Sequence, residues 1–184
     1  MRDNGIAISG KAGAGKNALA EHLAAGLVEE GEWPVYMAFG DELKRITFLE
    51  TGLVKSDPGG REAMLRIGKR ERERNVNVFR DALRRRYDDA VKCGLFPIVT
   101  DVRMFNEYAE CYRLGMFLVR VNASDEHREI ALRTRDESGA VWLSTHPTET
   151  DLDGAYRWHY VLHNYHGVTR LDNIAAEILR LRRG

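Results

Sequence analysis

The sequence predicts an α/β fold with a five-stranded, mainly parallel sheet and helices on both of its faces. Five short apolar runs, each followed by an amphipathic segment, are distributed along the 184 residues, and such alternation favours a parallel sheet. The first run leads at once into a glycine-rich loop and then into a helix, which is typical of a nucleotide-binding α/β unit. This length buries one sizeable core, so we expect a single domain over residues 1–184.

The apolar runs and the periodic segments between them predict the order of the elements. Strands are predicted at 6–8, 35–39, 96–101, 116–121 and 160–162. Helices are predicted at 18–25, 61–67, 75–91, 106–114 and 171–183, and Gly68 is expected to end the second of these. Two further helices are predicted to begin at N-caps, one at Asp41 and one at Ser124.

Composition excludes several classes of protein. Acidic and basic residues balance at 28 each, so no global field marks a nucleic-acid or membrane binder. Cys93 and Cys111 lie far apart without metal-ligand spacing, which fits a reducing cytosol. We find no signal peptide, no apolar run of membrane length, no histidine metal motif and no G-x-S-x-G elbow. The sequence therefore predicts a cytoplasmic protein.

Residues 10–16 read G-x-x-x-x-G-K, the core of a phosphate-binding P-loop. Glycines let backbone N–H groups converge on an anion, and the helix N-terminus adds partial positive charge. Lys16 is the predicted catalytic cation for the β- and γ-phosphates. The alternative is a glycine-rich turn with an incidental lysine. The predicted ATP-binding residues are Gly10, Lys11, Ala12, Gly13, Ala14, Gly15, Lys16, Asn17 and Ala18.

Two residues are candidates for holding Mg²⁺ with ATP. Asn17 stands where this motif usually has a serine or threonine hydroxyl that ligates the metal. Asp101 ends the apolar strand at 96–101, as the acid of a Walker B strand does. Asp101 has a second reading, as the N-cap of the helix at 106–114.

Polar residues after the second and third strands predict a binding crevice for the acceptor substrate, because open α/β sheets bind ligands there. Asp41 and Lys44 follow the second strand, and Arg103 follows the third. Phe79 is predicted to pack beside an acceptor base. The alternative is a capping aspartate on a solvated helix face. We interpret the charge run at 69–74 as a solvated face.

A polar stretch from 136 to 150 has few core residues and predicts a lid, within about residues 125–152. Arg133 and Arg135 precede the stretch and are candidate catalytic arginines. Residues two apart on a helix point about 200° apart, so both reach the phosphates only if the helix ends near Thr134. We expect it to end there.

Several segments together resemble the P-loop nucleoside monophosphate kinases, and among them the phage-type deoxynucleoside monophosphate kinases. Residues 9–17 are similar to S-G-x-x-x-x-G-K-D, and residues 39–44 to F-A-D-x-L-K. Asp101, Arg103 and Glu107 match D-x-R with a glutamate four residues later. Looser matches are Arg61 with 67–69, the H-x-[ST]-E segment at 146–149, and 164–167 with Leu171.

The resemblance implies transfer of the ATP γ-phosphoryl group to a nucleoside or deoxynucleoside monophosphate. It places Arg61 and Arg103 on the acceptor phosphate, and Asn164 near the adenine of ATP. It puts the acceptor-binding region at about 40–92, and it further assigns His146 and Glu149 to the acceptor. Departures at Asn17 and Lys69 leave the metal shell and the accepted base open.

Two other functions stay open. Dephospho-coenzyme A kinase and phosphomevalonate kinase share parts of the pattern, so another phosphorylated small molecule is an alternative acceptor. A nucleic-acid-associated P-loop ATPase would use the basic helix at 80–86. The expected partners are ATP and a monophosphate, without membrane or nucleic acid, and the sequence leaves open whether the chain forms a homodimer.

Overall fold

The computed structural model describes residues 4–134, 151–154, 157–164 and 171–184. Its centre is one sheet of five strands, β1 (Ile6–Ser9), β2 (Pro34–Met37), β3 (Phe96–Val102), β4 (Phe117–Asn122) and β5 (Tyr160–His163). The spatial order is β2-β3-β1-β4-β5, and every neighbouring pair is parallel. The predicted fold class is confirmed, and the sheet is parallel throughout.

Seven helices are described around the sheet. They are α1 (Lys16–Glu29), α2 (Gly40–Thr51), α3 (Gly60–Arg74), α4 (Val78–Lys92), α5 (Phe105–Arg113), α6 (Asp125–Arg133) and α7 (Leu171–Leu181). Helices α1 and α7 share one apolar core with the sheet, in which Ile6, Leu23 and Ile178 are fully buried. Helices α4 and α5 pack on the opposite face through Leu83 and Cys111. Across the described residues, no helix is long and apolar enough to cross a membrane.

Helices α2, α3 and α4 form an excursion between β2 and β3, in the region predicted to bind the acceptor. Two expectations about it are wrong. Gly68 does not end α3, because the helix continues through the charge run to Arg74. The helix predicted from Asn75 begins at Val78, since Asn75 is extended at φ −150°.

Smaller differences concern the ends of the elements. Strand β2 stops at Met37, and Phe39 is already helical at φ −60°. Asp41 is not the N-cap of α2, because it lies inside the first turn and Phe39 occupies the cap position. Helix α6 ends at Arg133 with Thr134 as C-cap, where the sequence predicts its end. Most of the predicted lid, at 135–150, lies outside the described residues.

Candidate active site

The loop between β1 and α1 forms a cradle of backbone groups at the carboxyl end of the central strand. Gly13 and Gly15 have φ values of +78° and +101°, in the left-handed region that favours glycine. A Cβ on Gly13 would lie 2.7 Å from the Arg128 carbonyl oxygen, and one on Gly15 would lie 2.8 Å from Asn164 Nδ2. Both glycines are therefore required by conformation and by close neighbours.

Lys16 is the buried cation of this loop, with an exposed fraction of 8%. Its ammonium Nζ donates to the carbonyl oxygens of Gly10 at 2.7 Å and Lys11 at 2.9 Å. It lies in the first turn of α1, whose unpaired N–H groups and dipole favour an anion at the same place. The geometry is that of a phosphate-binding loop.

Two residues from distant parts of the chain donate hydrogen bonds to carbonyl oxygens of the loop. Arg128 on α6 is buried, and its Nε donates to the Ala12 carbonyl oxygen at 2.8 Å. Asn164, directly after β5, donates from Nδ2 to the Ala14 carbonyl oxygen at 3.0 Å. Asn164 thus lies against the P-loop, and its contact with adenine stays a prediction.

A third support joins the loop to β4 and to residues 151–153. The Asp153 carboxylate lies 2.7 Å from Lys11 Nζ and 2.9 Å from Arg120 Nη2. Arg120 is buried within β4, and its Nη1 donates to Ser9 Oγ at 2.9 Å. Two residues earlier, Asp151 accepts the Phe105 N–H at the start of α5 at 2.6 Å. We name residues 151–153 the strap, because they link the P-loop to α5.

Asp101 binds the start of α2. Its carboxylate accepts the backbone N–H of Phe39 at 2.7 Å and that of Gly40 at 3.0 Å. Burial raises the pKa of Asp101 above its usual value, although these two donors favour the charged form. Of the two predicted readings, an N-cap of α5 is wrong, because Met104 occupies that position.

Glu107 organises the turn that carries Arg103. Its Oε2 accepts the N–H groups of Arg103 at 2.9 Å and Met104 at 3.1 Å. The side chain is 6% exposed. Burial raises its pKa to about 7, and the charge of Asp101 adds to the shift. The carboxyl groups of Asp101 and Glu107 therefore both lie near Arg103 at the carboxyl end of β3.

Arg72, in the second half of α3, lies close enough to Glu107 for their charges to interact. Its guanidinium stands 4.8 Å from the ring centroid of Phe79, which is buried on α4. Burial lowers the pKa of Arg72, while the charge of Glu107 opposes that shift. Phe79 therefore has a guanidinium on its ring, and direct stacking of an acceptor base on Phe79 stays a prediction.

The other residues predicted to bind the acceptor or to act in catalysis have these surroundings. Asp41 pairs with Lys44 at 3.0 Å and with Arg86 at 2.8 Å, and it accepts the Ala38 N–H. Those side-chain hydrogen bonds lower its pKa despite partial burial. Arg61 lies in the first turn of α3. Arg133 is exposed and pairs with Glu129 at 2.5 Å. Arg135, His146 and Glu149 lie outside the described residues.

The predicted metal residues carry the hard oxygen donors that Mg²⁺ prefers. Asn17 is exposed at the start of α1, and each carboxylate oxygen of Asp101 accepts one N–H group, which leaves a lone pair on each. Within the described ranges, no group of three or more His, Cys, Asp or Glu side chains is placed to hold a metal by itself. The donors fit a metal that arrives with ATP, whose phosphates supply further oxygens.

Four site residues were not identified from the sequence, namely Arg72, Arg120, Arg128 and Asp153. Arg72 belongs to a charge run that we interpreted as solvated, and Arg128 to a helix with several arginines. One signal was present for Arg120, because it interrupts the apolar strand 116–121. A charged residue inside a buried strand requires a partner, and here the partners are Ser9 and Asp153.

Comparisons with known proteins were made by sequence and by structure. No family model matches the chain, and no curated protein matches it in sequence. Solved structures do match. The Mycobacterium tuberculosis APS kinase CysC in complex with AMPPNP and APS superposes with a TM-score of 0.58 at 16% identity, over 99% of both chains.

Two further structures agree over nearly the whole chain. TT1252 from Thermus thermophilus has a TM-score of 0.59 at 20% identity, over 98% of both chains. Shikimate kinase from Acinetobacter baumannii in complex with shikimate has a TM-score of 0.54 at 19% identity, over 97% of this chain and 92% of that one. The chain has the P-loop kinase fold. Identities this low show the fold alone, and they do not distinguish one kinase from another.

Proposed function

We propose that this protein is a kinase that transfers the γ-phosphoryl group of ATP to a nucleoside or deoxynucleoside monophosphate. The observation that carries the proposal is the pairing of the P-loop around Lys16 with a crevice, at the end of the adjacent strand β3, that carries arginines. The P-loop would bind the donor phosphates, and the arginines at the end of β3 would suit an anionic acceptor. The resemblance to the phage-type kinases supports the same acceptor.

Catalysis of this transfer consists mainly of positioning and charge neutralisation. Lys16 and the loop N–H groups would hold the β- and γ-phosphates, and Arg103 with Arg61 would hold the acceptor phosphate. Asp101 and Asn17 would help to hold Mg²⁺, which would supply positive charge to the phosphates of ATP. Arg133 and Arg135 would close over the phosphates and exclude water.

The hydrogen bonds of Asp101 favour a phosphate acceptor over a hydroxyl acceptor. A hydroxyl acceptor needs a general base within hydrogen-bond reach. Asp101 accepts backbone N–H groups at the start of α2 with both oxygens, and its remaining lone pairs are the ones that would face Mg²⁺, so it is poorly placed to act as that base. A phosphate acceptor is already ionised at neutral pH and requires no such base.

A second candidate is a kinase of a hydroxyl-bearing phosphorylated small molecule, such as dephospho-coenzyme A. Glu107 supports it, because its pKa of about 7 suits a general base. The structural neighbours bound to APS and to shikimate are compatible with it as well. A nucleic-acid-associated ATPase has less support, since Arg80, Arg84 and Arg86 of α4 all pair with carboxylates.

ADP release from ATP and Mg²⁺, measured over a panel of acceptors, tests the proposal. The panel holds the common ribo- and deoxyribonucleoside monophosphates, dephospho-coenzyme A, APS, shikimate and single-stranded DNA. We expect at least one monophosphate to stimulate ADP release and to appear as the diphosphate. The variant Lys16→Ala should lose about 10²- to 10³-fold in turnover, as expected for one preorganised transition-state charge. Stimulation only by hydroxyl acceptors would establish the second candidate instead.

A further inference from the structure

Arg72 has surroundings that neither packing nor ion pairing explains. It is a half-buried cation, and burial of a charge is costly unless an opposite charge compensates for it. Among the described residues, no carboxylate forms an ion pair with Arg72. Its hydrogen bond to the Gly68 carbonyl oxygen is long, at 3.4 Å. By contrast, Arg70 and Arg74 on the same helix both pair with Glu71.

The guanidinium is nevertheless held in one place. The ring of Phe79 covers one side of it at 4.8 Å, and guanidinium groups stack on aromatic faces while their N–H edges stay available for bidentate hydrogen bonds. The carboxyl group of Glu107, on α5, interacts favourably with its charge. An immobilised guanidinium has already lost most of its rotamer entropy, so a ligand that binds it need not supply that cost.

Gly68 provides the space that this arrangement requires. A Cβ at position 68 would lie 3.2 Å from Arg72 Nη1 and 3.3 Å from Leu43 Cδ2. Glycine inside a helix costs about 0.5–1 kcal/mol relative to alanine, and the close approach of the guanidinium supplies a reason for it here. The glycine that we expected to end the helix instead makes room for the arginine.

We propose that Arg72 binds the anionic group of the acceptor substrate and thereby helps to select an acceptor that carries a phosphate. The guanidinium would meet that group from α3, across the crevice from Arg103, which follows β3 and whose N–H is held by Glu107. The bound anion would compensate the buried charge of Arg72. This inference rests on the proposed function and adds to it a specificity residue outside the resemblance.

Steady-state kinetics with the best monophosphate of the panel tests this assignment. We expect Arg72→Ala to raise the acceptor KM at least tenfold and to leave the ATP KM within twofold. Millimolar guanidinium ion should restore part of the loss, because it refills the same site, and Arg72→Lys should fall between. Arg74→Ala is the matched control, because Arg74 lies two residues after Arg72 on the same helix and is exposed. This variant should leave both KM values unchanged.

Gly68→Ala is a second variant that removes no charge. It should raise the acceptor KM severalfold, because the new methyl group displaces the guanidinium of Arg72. The protein should stay folded, because alanine favours a helix more than glycine does. An unchanged acceptor KM in folded Arg72→Ala would overturn the assignment. Equal increases of both KM values without rescue by guanidinium would also overturn it, since they would indicate a merely structural role.

A binding measurement separates this inference from the proposed function. Inorganic phosphate is titrated, with the thermal midpoint as readout, into wild type and Arg72→Ala that are saturated with a nonhydrolysable ATP analogue. Phosphate stabilisation that requires Arg72, without turnover of any monophosphate, would support the anion site and overturn the proposed acceptor. Turnover of a monophosphate with phosphate stabilisation equal in both proteins would overturn the Arg72 assignment alone.

Discussion

At the scale of single residues, the buried Glu107 couples the fold to pH. Its pKa in the folded protein is raised to about 7 from an ordinary value of 4.5. The folded state therefore keeps this proton over a pH range where the unfolded state has lost it. As pH rises from 4.5 through 7, the contribution of Glu107 to stability falls, by about 1.4 kcal/mol for each unit of raised pKa.

We expect Glu107→Gln to remove this pH dependence. The amide oxygen of glutamine still accepts the N–H groups of Arg103 and Met104, and it carries no charge to desolvate. Urea unfolding at pH 5 and pH 8 measures the effect, and the variant should gain stability relative to wild type between those values. A constant difference at both pH values would mean that Glu107 ionises in the folded state as it does in water.

Sequence patterns identified the residues whose chemistry is local. Lys16 belongs to a motif of seven consecutive positions, so its neighbours in space are its neighbours in sequence. Arg72 and Arg120 depend on Phe79, Glu107, Ser9 and Asp153, which lie between 7 and 111 positions away. A charge run looks the same whether its middle arginine faces water or a crevice, so its position in space had to come from the fold.

At the scale of elements, α6 depends on the residue that caps its N-terminus. Ser124 is extended at φ −63° and ψ 153°, and its Oγ accepts the His127 N–H at 3.2 Å, as its sequence predicts. The cap matters for the site because α6 carries Arg128, which supports the P-loop. A fixed start of α6 thus helps to hold Arg128 against Ala12.

We expect Ser124→Ala to lower the free energy of unfolding by about 1 kcal/mol, the usual effect of a lost N-cap. Ser124→Asp is the matched variant and should retain wild-type stability, because its carboxylate accepts the same N–H and favours the helix dipole. Chemical denaturation of the three proteins measures this. Equal stability of Ser124→Ala and wild type would show that water caps the helix as well as the hydroxyl does.

The existence and order of the elements could be predicted, and several of their ends could not. Apolar runs predicted the five strands that the described residues form, because burial in a parallel sheet leaves a strong sequence signal. Asp41 looked like a cap because only its sequence neighbours were visible. In the fold, the N–H groups of Phe39 and Gly40 bind Asp101, about 60 positions away, and Asp41 pairs with Arg86.

At the scale of the whole molecule, the strap joins parts of the chain that are distant in sequence. Leu152 is buried in the core beside α5, and Asp153 compensates both Lys11 and the buried Arg120. Removal of one partner of such a pair leaves the other charge partly desolvated. The side chain of Asp153 is 39% exposed, so water screens part of the effect.

We therefore expect Asp153→Asn to lower the free energy of unfolding by about 1–2 kcal/mol. Asp89→Asn is the control, because Asp89 is 77% exposed and pairs with Lys92 only at 3.7 Å. That variant should stay within about 0.5 kcal/mol of wild type. Thermal and urea unfolding measure both. A similar loss in the two variants would mean that the strap contributes only surface electrostatics.

The position of β1 has a consequence for how the protein is made. This strand precedes the other four described strands in the chain, yet it lies in the middle of the sheet, between β3 and β4. Its pairing therefore waits for partners about 90 to 110 residues later, and such non-local contacts slow folding. The contacts from Arg128 and Asn164 come 116 and 150 residues after the loop residues they touch. During translation, the phosphate cradle therefore leaves the ribosome well before the residues that complete its shape.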